Sequence, residues 1–168
     1  MRAAALIVPE LPALHPSDPG ELALLWMAEF HVTHLPVVEN NRLLGLISEE
    51  NILEANAQDL PIGNISLGNA RTFVKEQEHI FEVLKMAAEL RISIVPVINE
   101  QEDYMGSVTK EQLLRFLTSE LGLLEPGGMI VLEFAINDYN LSDVARIVEQ
   151  NDGKIICTSN RYRSHHSY

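Results

Sequence analysis

Apolar and polar positions fall in short blocks along this chain, and one order of blocks occurs twice. Residues 31–53 read H-V-T-H-L-P-V-V-E-N-N-R-L-L-G-L-I-S-E-E-N-I-L. An apolar run at 35–38, a polar turn at 39–42, a second apolar run at 43–47 and a capped helix start at Ser48 follow one another. Residues 91–114 repeat this order as R-I-S-I-V-P-V-I-N-E-Q-E-D-Y-M-G-S-V-T-K-E-Q-L-L. Pro36 and Val37 return as Pro96 and Val97 at an offset of 60. Gly45, Glu50 and Leu53 return as Gly106, Glu111 and Leu114 at an offset of 61. Asp103 is the one-residue insertion, and it falls in the turn, where insertions cost least. A block of this length used twice is a duplicated supersecondary unit, so function is sought between the copies.

The flanking pattern completes each copy. Residues 13–15 suggest a short strand. Asp18 suits an N-cap, Pro19 the first helical position and Glu21 the third, which predicts a helix to about Phe30 with Trp26 as a core anchor. Residues 59–64 read as the joint between copies. The second copy is expected to open with a strand at 71–75 and a helix at 78–90, with Ile80, Phe81, Leu84, Ala87 and Ala88 inward. Strands at 94–98 and 105–108 and a helix at 109–121 follow. The expected order in each copy is strand, helix, strand, strand, helix. Pro126-Gly127-Gly128 marks the next boundary. Beyond it, a strand at 129–136, a helix at 141–150 capped by Asn140 and a strand at 154–158 form a predicted βαβ unit. Residues 159–168 are basic and aromatic without aliphatic residues, and read as a tail. The fold class is α+β, divided into 1–60 (first copy with its N-terminal lead-in), 61–122 (second copy), 126–158 and 159–168.

Charge narrows the partners. The net charge is −12, and Lys154, Arg161 and Arg163 are the only charged residues after 153, so the preceding part carries −15. Nucleic-acid binding depends on neutralising phosphates, and anionic membrane surfaces need basic patches, so neither partner is expected. Cys157 is the single cysteine, which excludes an internal disulfide and a cysteine-based zinc site. The apolar residues 3–8 are too few to span a membrane and are stopped by Pro9. A soluble, cytoplasmic protein is the expectation. There is no P-loop, no ordered Ser/His/Asp set and no spaced cluster of metal ligands, so no enzyme activity is expected.

The L-P-V-V and V-P-V-I strands, Gly45 and Gly106, and the segments G-L-I-S-E-E-N and G-S-V-T-K-E-Q together resemble the CBS-domain pair, or Bateman module. The resemblance spans residues 12–121. It implies two copies packed sheet to sheet around a pseudo-twofold axis with two clefts between them, and pairing of modules into homodimers. It also implies sensing of adenosine-containing ligands such as AMP, ATP or S-adenosylmethionine. The runs I-V-L-E-F-A-I, N-D-Y-N-L-S-D-V-A-R-I-V-E-Q-N and G-K-I-I-C resemble the first half of an ACT domain, an amino-acid-sensing βαββαβ fold.

In the family, the Ser or Thr ending the last strand and an Asp three residues on face the nucleotide. Here these positions are Ser48 with Asn51 and Thr109 with Gln112. Both Asp positions carry neutral amides, whose oxygen accepts a ribose hydrogen bond without charge assistance. Lys110 suits a phosphate in the second cleft, whereas Glu49 and Glu50 suit a neutral or cationic ligand in the first. The same residues also read as ordinary helix caps: Thr109-Lys110-Glu111-Gln112 has the form of a capping box. His31 and His34 could contact a base or sense pH, against a plain surface role. The candidate ligand-contacting set is Ser48, Asn51, Thr109, Lys110 and Gln112 with the strand residues His34, Leu35, Pro36, Val95 and Pro96. The expected function is regulatory sensing of a small molecule. Its alternatives are a structural dimerisation module without ligand and amino-acid sensing through the ACT-like segment.

Overall fold

A computed structural model of the chain describes residues 1–68, 72–133 and 140–159. They form two compact units, Met1–Leu114 and Arg115–Tyr168. In the first unit, α1 (Gly20–Glu29) precedes the strands β1 (His34–Glu39) and β2 (Arg42–Ser48) and the short helix α2 (Glu49–Glu54). Then β3 (Val74–Lys75), α3 (Ile80–Glu89), β4 (Ile94–Ile98), β5 (Tyr104–Thr109) and α4 (Lys110–Glu120) repeat the order. The pattern of two copies is therefore the architecture. β1 and β2 pair antiparallel, as do β4 and β5, and β3 lies parallel to β4. The strand expected at 13–15 is a single parallel bridge, Leu14 to Val37, matching Val74 to Val97 in the second copy.

The apolar strand residues meet in the core. Leu14, Leu35, Val37 and Ile47 of the first copy, and Ile94, Val95, Val97 and Val108 of the second, are wholly shielded from solvent. Burying such branched side chains contributes about 1.5–3 kcal/mol each.

The copies exchange their lead-in segments. Val8 N–H donates to Ser107 O of β5 at 2.9 Å, and Gly68 N–H donates to Leu46 O of β2 at 2.8 Å. Ala3 N–H donates to Glu78 O at 2.9 Å, and Ile62 N–H to Asp18 O at 2.8 Å. Residues 1–8 thus cover the edge of the second copy's sheet, and residues 60–68 that of the first. Covered edges cannot pair with foreign strands. The crossing explains both repeated glycines. Gly106 has φ +142°, and a Cβ there would strike Ile7; a Cβ on Gly45 would come within 2.9 Å of Gly68 O.

The turns of the two copies also meet. Tyr104 N–H donates to Asn41 O at 2.7 Å. Arg42 donates to Gln101 O and sits 3.6 Å from Glu102 and 3.7 Å from Asp103. The inserted residue of the second turn is therefore an ionic partner of the first.

Four expectations need correction. Asp18 does not cap α1: the cap position is Pro19, and the Asp18 carboxylate accepts the His15 N–H at 2.7 Å, closing the turn before the helix. Trp26 is half-buried rather than a core anchor, because Ala23 and Met27 form the inward face of α1. Phe81 is 62% exposed and lies edge-on to His79, while Val83 takes the inward place on α3. Ala88 is likewise exposed.

In the second unit α5 (Leu141–Gln150) forms as expected, with Asn140 Oδ1 accepting the Ser142 N–H at 3.1 Å. Residues 129–133 and 154–158 belong to no strand. Strands need a partner's ladder, and Met129, Ile130 and Val131 are more than 70% exposed, at 81%, 73% and 84%. The rest of the strand expected at 129–136, Arg71 of the strand expected at 71–75, and all but Ser159 of the 159–168 tail lie outside the described residues. Among the described residues no helix is long and apolar enough to cross a membrane.

Candidate functional site

Each copy ends its last strand in a hydroxyl residue that starts a helix. Ser48 Oγ accepts the Asn51 N–H at 3.1 Å, and Asn51 Oδ1 accepts from Ser48 N at 3.3 Å and from Ser48 Oγ at 2.7 Å. The capping box predicted for the second copy is thus closed in the first. The Asn51 amide oxygen, the group suited to a ribose, is committed to Ser48. At the second start, Thr109 Oγ1 accepts the Gln112 N–H at 3.2 Å. The Gln112 carboxamide takes part in no hydrogen bond among the described residues. Lys110 beside it is exposed. Glu49 and Glu50 place two carboxylates in the first turn of α2.

Of the strand residues, Leu35, Pro36, Val95 and Pro96 are buried within β1 and β4. His34 is half-buried and stands opposite Ser48 in the β1–β2 ladder; its counterpart opposite Thr109 is Ile94. His31 is exposed, with φ +52°.

The structure joins the two helix starts through residues that sequence reasoning passed over. Thr33 O accepts the Glu49 N–H at 3.1 Å, and Ser93 O accepts the Lys110 N–H at 3.0 Å. Thr33 N–H donates to Ser93 Oγ at 3.0 Å, across the copies. His34 Nδ1 receives the Ser93 N–H at 3.4 Å and lies 3.3 Å from Ser93 Oγ and 3.0 Å from Thr33 Oγ1. A signal was present: Thr33 and Ser93 are hydroxyl residues at the 60-residue offset, each just before a strand.

Charge at this junction is shared. Burial holds the His34 pKa below its ordinary value, Lys110 pushes the same way, and Glu50 opposes them. Lys110 and Glu50, one from each helix start, thus both act on one ring. Near the turns, burial raises the Tyr104 phenol to about 12, against the hydrogen bond to Ser107 Oγ at 3.0 Å, which lowers it. Among the described residues no group of three or more His, Cys, Asp or Glu could hold a metal ion. A shallow recess is lined by Pro19, Glu21, Leu22, Leu24 and Leu25, none of which belongs to either helix start.

Comparison with known proteins agrees with this geometry. The CBS domain family matches at residues 4–58 and 70–119. A homoserine O-acetyltransferase of Methanobrevibacter ruminantium is 28% identical over 94 residues, which is 55% of this chain and 19% of that one. The chain therefore spans about a fifth of that relative's length. A solved structure of a CBS domain pair/ACT domain protein from Thermotoga maritima superposes with a TM-score of 0.64 at 20% identity, over 72% of this chain and 99% of that one. The structure of CBSX2 in complex with AMP superposes with a TM-score of 0.58 at 19% identity, over 70% of this chain and 96% of that one. These structural likenesses establish the fold.

Proposed function

The chain belongs to the CBS domain family, and we propose that it is a regulatory module that binds an adenosine-containing ligand, AMP or ATP before S-adenosylmethionine, at the helix start of its second repeat. The observation that carries this reading is the asymmetry of the two starts. Ser48 and Asn51 satisfy each other, whereas Gln112 keeps its carboxamide uncommitted beside Thr109 and the exposed Lys110. The start of α4 favours anions through its N–H groups and dipole, and Lys110 adds a full charge. In this reading Thr109 and Lys110 take the phosphate and Gln112 the ribose, beside the half-buried His34. No step of chemistry is assigned to the chain. The AMP complex of CBSX2, a protein of the same fold, supports the ligand class.

A ligand that fits one packing of the repeats better than another shifts their arrangement. The module acts as a homodimer. Leu25, Leu53, Phe81 and Leu114 leave four large apolar side chains in water, one on each of the first four helices.

The test is a thermal-shift panel of AMP, ATP, S-adenosylmethionine and amino acids, with sedimentation to read the dimer. A ligand at a hundred times its Kd adds about 2.7 kcal/mol of stability. The expected result is a shift with AMP or ATP. A dimer that shifts with no adenosine compound at millimolar concentration supports the alternative, a structural dimerisation module. A shift with amino acids alone supports sensing by the second unit.

A further inference from the structure

We propose that His34 is a pH-operated latch between the two repeats, holding the Ser93 N–H when its ring is neutral and releasing that N–H when protonated. The geometry sets the proton. A backbone N–H can only donate, so the Ser93 N–H, 3.4 Å away, requires a lone pair on His34 Nδ1 and places the ring proton on Nε2. A proton on Nδ1 would face the Ser93 N–H and remove its acceptor. The contact lies at the centre of a chain of hydrogen bonds. Glu49 N–H to Thr33 O, Thr33 N–H to Ser93 Oγ, Ser93 N–H to His34 Nδ1 and Lys110 N–H to Ser93 O link the start of α2 to the start of α4. Opening the His34 contact leaves Thr33 to Ser93 as the remaining bond of that chain between the repeats.

The charged groups acting on the ring are Lys110 from α4, which resists protonation, and Glu50 from α2, which favours it; the facing group on β4, Ser93, does not titrate. Burial is the largest influence on the ring and Lys110 adds to it, so the neutral ring is favoured by the fold. The latch therefore holds above pH 6.5 and is lost as the pH falls through the lowered value of the folded chain. The second repeat carries Ile94 at the equivalent place, so only one side of the junction titrates. The latch rests on the hydrogen bonds alone; its effect on a ligand at Thr109 rests on the reading above.

The test uses the full chain. Histidine ring resonances give the His34 midpoint, and hydrogen exchange gives the protection of the Ser93 amide from pH 5 to 8. Expected are a midpoint below 6.5 and a loss of Ser93 protection, about fivefold to tenfold for one hydrogen bond, that follows the same titration. His34→Asn supplies an acceptor oxygen that takes up no proton, and is expected to keep Ser93 protected throughout. Ser93 protection unchanged while the His34 ring titrates, or the same loss in His34→Asn, overturns the latch. If that variant does not fold, the wild-type pair of curves still decides. AMP titrations at both ends of the range separate the two ideas. Weaker binding at low pH in wild type alone supports coupling to the cleft. Failure of AMP to bind at any pH counts against the adenosine reading, while the exchange curves continue to judge the latch.

Discussion

Gly106 lies against Ile7, so close that a single added methyl group would overlap the Ile7 side chain. The contact holds the lead-in of the first repeat on the sheet of the second, and φ of +142° adds a backbone conformation that other residues rarely adopt. Gly106→Ala is expected to cost about 1–3 kcal/mol in a urea melt. Gly127→Ala, where an added Cβ meets nothing within 4 Å, serves as the control and should stay within about 0.5 kcal/mol. Equal effects of the two would mean that the crossing segment does not press on Gly106.

Ser48 closes the capping box of α2 with Asn51. Ser48→Ala is expected to cost about 1 kcal/mol of stability and to leave AMP affinity unchanged. Isothermal titration beside a denaturant melt separates the two quantities. A large loss of affinity would move the binding site to the first repeat.

Lys110 is exposed and starts α4, and its counterpart in the first repeat is Glu49. Lys110→Glu gives both helix starts the same sign. AMP affinity should fall about tenfold or more, the scale of a charge-assisted contact to phosphate, with little change in melting temperature. Adenosine, which lacks the phosphate, should bind both forms alike. Unchanged AMP binding would remove Lys110 from the site.

Tyr104 has a folded pKa of about 12, above its ordinary 10.0. The fold therefore favours the neutral phenol. The stability this group contributes is complete below pH 10 and is lost as the pH rises through about 12. Ultraviolet absorbance should show its ionisation late, and Tyr104→Phe should flatten the alkaline end of the stability curve. An ionisation near 10 would show that the phenol is in water.

Much of the first unit was readable because its signals are local. Pro36, Gly45 and Ser48 recur as Pro96, Gly106 and Thr109 with little change of spacing, and each marks a strand or its end. A continuous apolar run, a turn and a cap act over a few residues, so the pattern of side chains suffices to place β1, β2, β4, β5 and the helices that follow. The α5 cap at Asn140 was readable for the same reason. Strands at 129–133 and 154–158 were not, because an apolar run is also what an unpaired segment looks like until a neighbour supplies its ladder.

The chain's order of residues determined by itself that there are two copies, where β1, β2, β4 and β5 and the helices after them lie, and that hydroxyl groups start the final helix of each. Tertiary structure alone decided that each lead-in segment crosses to the other copy, that Asn51 is tied to Ser48 while Gln112 is not, and that His34 meets Ser93. The reason is distance along the chain. Val8 and Ser107, or His34 and Ser93, are brought together only when both sheets have formed, and no local preference of either residue specifies its partner.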